Sequence, residues 1–133
     1  MIEPEITEIY LLKAEESLAG AESEFVNSRY NNTADRCYYA CFQAAIAALT
    51  QQGIQPGRGL WRHEFVQGEF VGALINIRKL YPSDLRDTLP RNLILRQMAD
   101  YEPRQVTQVQ ANRAVRRTRS FIEAVGEKGG SRL

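Results

Sequence analysis

Residues Asn31 to Gln52 read NNTADRCYYACFQAAIAALTQQ, and this stretch decides the fold. Asn31 or Asn32 can accept from the free N–H groups of a helix start, and Asp35 sits where the helix dipole favours a negative charge. Ala34, Cys37, Tyr38, Cys41, Ala45 and Leu49 recur at spacings of three and four, which makes one helical face. Tyr39, Phe42 and Ile46 mark a second apolar face. A helix that is apolar on more than one side is buried on more than one side. The stretch is therefore read as the central helix, packed within its own domain and against a second copy of the chain. Gly53 and Pro56 end it.

Upstream, Glu5 to Asn27 reads as a first helix. Ile6, Ile9, Tyr10, Ala14, Ser17, Leu18, Ala21 and Phe25 share a side, with Glu8, Glu15, Glu16, Glu22 and Glu24 mostly turned away. The short turn Ser28–Tyr30 implies an antiparallel hairpin of the two long helices. Downstream, Gly53 to Leu60 (GIQPGRGL) is a loop. A third helix is expected over Trp61 to Leu80, with Val66, Phe70, Ala73, Leu74 and Ile77 as its stripe. Gly68 and Gly72 within it either admit a close neighbour or mark a frayed segment. A helical turn from Ser83 should stop before Leu89, because Pro90 disfavours helical geometry at its predecessor. A fourth helix follows over Arg91 to Tyr101, with Ile94, Met98 and Tyr101 on one side. Thr107-Gln108-Val109-Gln110 is a capping box for the fifth. Its apolar row is Ala111, Ala114, Val115, Thr118, Phe121, Ile122 and Val125, and Gly126 is read as its end. The expectation is an all-α, up-and-down bundle of four to five helices over residues 1–126, with no β-sheet and a disordered tail over 127–133.

Charge does not announce a partner: the 133 residues carry a net +1, so any basic function must come from local clustering. No apolar run is long enough to span a bilayer. The first residues, MIEPEITEIY, are acidic and unlike a secretory signal, so a cytoplasmic location is expected. Cys37 and Cys41 share a helix face, but a metal would need ligands this spacing does not supply, and a disulfide would strain the helix. They are read as small buried thiols. No metal or cofactor is expected.

Read together, these features resemble the HEPN domain family, in particular its small stand-alone prokaryotic type. The resemblance rests on Tyr38-Tyr39-Ala40-Cys41-Phe42 in a small-residue helix, on His63 in Trp61-Arg62-His63, and on Arg96-Gln97-Met98-Ala99-Asp100-Tyr101 before the last helix. It spans about residues 5 to 125. It implies a homodimer and a partner of nucleotidyltransferase fold, in toxin–antitoxin style. Some HEPN proteins are metal-independent ribonucleases whose motif is an arginine, four to six residues, then a histidine, with two such motifs meeting across the dimer. After Arg91 or Arg96 this chain has no histidine at that spacing. Close to that place the chain offers Asp100, separated from Arg96 by three residues, with Tyr101 beside it; an aspartate of ordinary pKa is ionised at neutral pH and donates protons poorly.

Arg96 and Asp100 can pair along a helix face, as part of a groove between subunits with Tyr101, or as a structural ion pair. His63, after Arg58 and Arg62, can meet a phosphate or act as a base, or simply hydrogen-bond a neighbour. Arg113, Arg116 and Arg117, with Arg119, can contact RNA or nucleotide phosphate or an acidic partner, or form a solvated face with Arg119 paired to Glu123. Tyr39, Phe42 and Ile46 suit core or dimer interface better than a ligand pocket. The function reading is a homodimeric binding module; the alternatives are a ribonuclease with a non-standard site (Arg96, Asp100, Tyr101, His63) and a purely structural helical dimer.

Overall fold

The computed structural model describes residues 4–129. Helices α1 (Pro4–Val26) and α2 (Tyr30–Gln51) are joined by three residues, with Ser28 at φ 62°. So short a link turns the chain back on itself. A buried hydrogen bond of 2.8 Å between the Thr7 and Thr50 hydroxyls ties the far ends of this hairpin together. Helix α3 (His63–Glu69) widens into a π-helical segment (Phe70–Ile77), and a 3₁₀ turn (Ser83–Asp87) leads into α4 (Thr88–Tyr101). Helix α5 (Gln108–Gly129) completes the described residues, which contain no strand. The architecture is the all-α bundle the periodicity predicts.

Helix α2 is central and packs on every other helix. Its alanines explain how: Ala40, Ala44, Ala45, Ala47 and Ala48 are at most 1% exposed, and such small side chains let neighbouring helices in close. A larger apolar cluster gathers around Leu49, Phe70, Leu74 and Phe121, with the Phe70 and Phe121 rings 4.9 Å apart. A smaller one gathers around Ala34, Cys37, Leu95, Met98 and Val115. Between them lies a buried polar seam. Asn92, wholly buried, donates from Nδ2 to the Cys37 carbonyl (3.2 Å), Cys41 Sγ (3.3 Å) and Thr118 Oγ1 (2.9 Å).

Helix α5 opens on the expected capping box: the Thr107 hydroxyl accepts from the Gln110 N–H at 3.1 Å, and Gln110 Oε1 accepts from the Thr107 N–H at 2.9 Å. At the start of α2 the expectation is corrected. The helix begins at Tyr30, and Arg29 before it makes no side-chain cap. Asn31 Oδ1 instead accepts from the Val106 N–H at 3.0 Å, clipping the entry of α5 to α2. The stripe of α1 is also turned from the one expected. Ile6 and Ile9 are exposed while Thr7 and Leu11 are buried, because Thr7 has Thr50 to satisfy its hydroxyl.

The third helix departs most. It starts at His63 rather than Trp61, and its second half is π-helical, with the Arg78 N–H donating to the Ala73 carbonyl at 2.9 Å. The wider turn shifts the register, so Ile75 is buried and Ile77, expected in the stripe, is 78% exposed. Gly68 and Gly72 admit no neighbour among the described residues: a methyl group on either would meet nothing within 4 Å. Helix α4 begins three residues earlier than expected and contains Pro90. At the third helical position the missing N–H has no intrahelical partner to lose, and burial of Leu89 (2% exposed) outweighs the local restriction on it. Helix α5 runs through Gly126 to Gly129, so residues 127–129 of the expected tail are helical. Residues 130–133 lie outside the described ones.

Candidate functional site

Three separated stretches converge beside the N-terminal half of α2. From α4, the Arg96 guanidinium carbon lies 5.2 Å from the ring centres of both Tyr38 and Tyr39, which successive positions on α2 present to it. Cations are attracted to the faces of such rings. Arg96 Nε stands 3.6 Å from Asp100 Oδ2, one turn along α4, with the two side chains 25% and 27% exposed. From the start of α3, His63 Nδ1 is 3.1 Å from the Tyr38 hydroxyl. Tyr38 thus links the histidine to the arginine.

A model of the HEPN domain matches residues 7–128. This chain belongs to the HEPN domain family. No curated protein matches it. The three HEPN-like features quoted from the sequence, far apart along the chain, are the ones that meet here. Among the described residues of this HEPN domain, no group of His, Cys, Asp or Glu is placed to hold a metal ion, and no helix is long and apolar enough to cross a membrane.

Two residues of this HEPN site carry no site role in the sequence reading. Asp35 stands on α2 one turn before Tyr38 and Tyr39, and its carboxyl lies within hydrogen-bonding reach of Asp100. Burial raises Asp35 from 3.8 to about 6; the hydrogen bond and charge of Asp100 add to this, and Arg96 and Arg36 oppose it. The pair therefore holds a proton at higher pH than a lone carboxylate would. Asp35 Oδ1 and Arg96 Nε are both shut off from solvent without a hydrogen-bond partner. Tyr38 is the other member. Its ring stacks on Phe42 with centroids 5.7 Å apart, and burial pushes its hydroxyl to about 12. Burial also lowers His63 below the ordinary histidine value, against a smaller opposing pull from Glu64.

Tyr101, 77% exposed at the end of α4, points away into solvent. Tyr39 and Phe42 are half-buried on the outer side of α2, with Arg36 over the Tyr39 ring at 5.2 Å. Ile46, 2% exposed, is buried in the core of its own chain. Arg119 pairs with Glu22 of α1, not with Glu123. Arg113, Arg116 and Arg117 line a separate groove with Arg91. Both thiols are wholly buried, and burial raises Cys37 to about 11 and Cys41 to about 12.

Proposed function

We propose that this HEPN protein is a homodimeric binding module. It works with a partner of nucleotidyltransferase fold, in the manner of a toxin–antitoxin pair, and contacts RNA or a nucleotide. One observation carries this reading: Arg96 is faced by two carboxylates, Asp100 and Asp35, while His63 is bonded to Tyr38 and no histidine follows Arg96 at the ribonuclease spacing. Two acids beside one arginine repel a phosphate and leave little positive charge to hold it. The half-exposed Tyr39 and Phe42 support a dimer face on α2, since aromatic side chains suit interface cores.

The test has three arms. Sedimentation equilibrium should give twice the 15.1 kDa of one chain, and Phe42→Glu should lower it with the helical spectrum retained. The tagged protein, recovered from its own cells, should carry a nucleotidyltransferase-fold protein identified by mass spectrometry. Incubation with RNA should leave the RNA whole. A monomeric wild type would end the module reading.

A ribonuclease with a non-standard site is the second reading, favoured by the raised carboxyl of Asp35. A carboxyl that retains its proton toward neutral pH can donate one, with Tyr38 and His63 as the second proton-handling pair. RNA cleavage by the wild type that disappears in Arg96→Ala would establish it over the first.

A further inference from the structure

Between the start of α4 and the outer face of α5 lies an open groove of about 480 Å³. Four arginines line it: Arg91, Arg113, Arg116 and Arg117. Among the described residues none of the four is in an ion pair. Asp84 and Asp87 line it as well, so the lining is cationic by two charges, four arginines against two aspartates. Arg113 and Arg117 are one helical turn apart, about 6 Å along the axis.

Arg117 is not a loose surface cation. Its Nε donates to Asn92 Oδ1 at 2.8 Å, and Asn92 is itself fixed by its bonds to Cys37, Cys41 and Thr118. The guanidinium is half-buried, and its pKa is lowered by burial and by nearby Arg91. Clustered cations repel one another, and an arrangement that keeps one of them fixed and partly desolvated is ready for an anion. A fixed guanidinium fork matches the geometry of phosphate oxygens with little ordering left to do. The hydroxyls of Thr88 and Ser120 in the lining add neutral donors.

The lining contains no aromatic and no large apolar side chain. It offers no enclosed pocket for a base, so a free nucleotide would be held chiefly by its phosphates. The absence of aromatics argues against a base-stacking platform, and an open cationic groove without one fits the repeating charge of a backbone. We propose that this groove grips the phosphodiester backbone of a nucleic acid strand. This gives the RNA-binding part of the function above a location. The groove lies within one subunit, so it stands or falls apart from the dimer, which is read by mass.

The test is fluorescence anisotropy of the full chain with a short labelled single strand, as RNA and as DNA of the same sequence. Both should bind, with affinity falling as salt rises. Equal affinities assign the grip to the backbone alone, and tighter RNA binding adds its 2′-hydroxyl. Arg113→Gln with Arg116→Gln, both exposed positions, should weaken binding about tenfold or more and make the log–log salt slope shallower by about 1.4. Asp84→Asn, also exposed, should tighten binding, an effect misfolding cannot produce. Any of three results overturns the proposal: no binding of either strand; affinities unchanged in these variants; or tighter binding of polyglutamate or of ATP, which would make the groove a protein-docking strip or a mononucleotide site.

Discussion

The Nε of Arg117 donates to Asn92 Oδ1 across 2.8 Å, so a cation in a surface groove is held from the interior of the bundle. Asn92 in turn reaches α2 and α5 through its amide nitrogen. Surface chemistry and core packing therefore share one residue.

Asn92→Ala should cost about 1–3 kcal/mol, because it strands buried acceptors and the Arg117 donor without replacing them. Urea unfolding of the variant beside the wild type measures this. A change within about 0.5 kcal/mol, the range of ordinary surface substitutions, would mean that the seam contributes nothing.

Asp35 should make stability fall as pH rises. Its folded-state value of about 6 exceeds the ordinary 3.8, so the folded chain binds the extra proton between those values. The stability linked to that proton is present at the acid end and lost as pH climbs through about 6. Thermal melts across that window should show the decline in the wild type and not in Asp35→Asn. At neutral pH the variant should melt a few degrees higher. Parallel curves would place the shared proton elsewhere.

His63 should titrate below 6.5 when its ring protons are followed by NMR. Glu64→Gln should lower the midpoint further, since Glu64 pulls it upward. Lowered in the folded state, this group favours folding at higher pH, and that contribution is lost as pH falls below 6.5. A midpoint above 6.5 would contradict the burial of its ring.

Gly68→Ala should stabilise the protein by about 0.5–1 kcal/mol. The position is helical, and an added methyl group finds open space. Chemical denaturation measures the gain. A loss would show that a neighbour outside this chain approaches there.

The fold was legible where the signal is local. The capping box of α5 lies within four residues, and the apolar faces of α2 persist for more than four turns. What escaped depends on distant contacts. The π-helical register of Phe70–Ile77 goes with ring contacts from Phe70 to Phe121 and Tyr81, which the spacing of α3 alone does not reveal. Pro90 alone signals a stop; the burial of Leu89 that overrides it is set by distant packing. Within the site, Arg96, Asp100 and His63 were visible as residue types. Asp35 has the position of a helix-start charge, yet its spacing to Tyr38 and Tyr39 puts it on their side of α2. Asn92 could have been noticed as a lone amide three residues from Leu89 and from Leu95. That it joins α2 to α5 depends on contacts made only in the folded chain.

The alanine-built middle of α2 makes the protein vulnerable in an unusual direction. Most interiors suffer when a side chain is trimmed and a hole is left. Here there is almost nothing to trim, since Ala40, Ala44, Ala45, Ala47 and Ala48 end at the β-carbon and are already covered. Enlargement is the hazard: each added methylene must wedge apart two packed backbones. Drift along this stretch is thus confined to residues no bulkier than those already present.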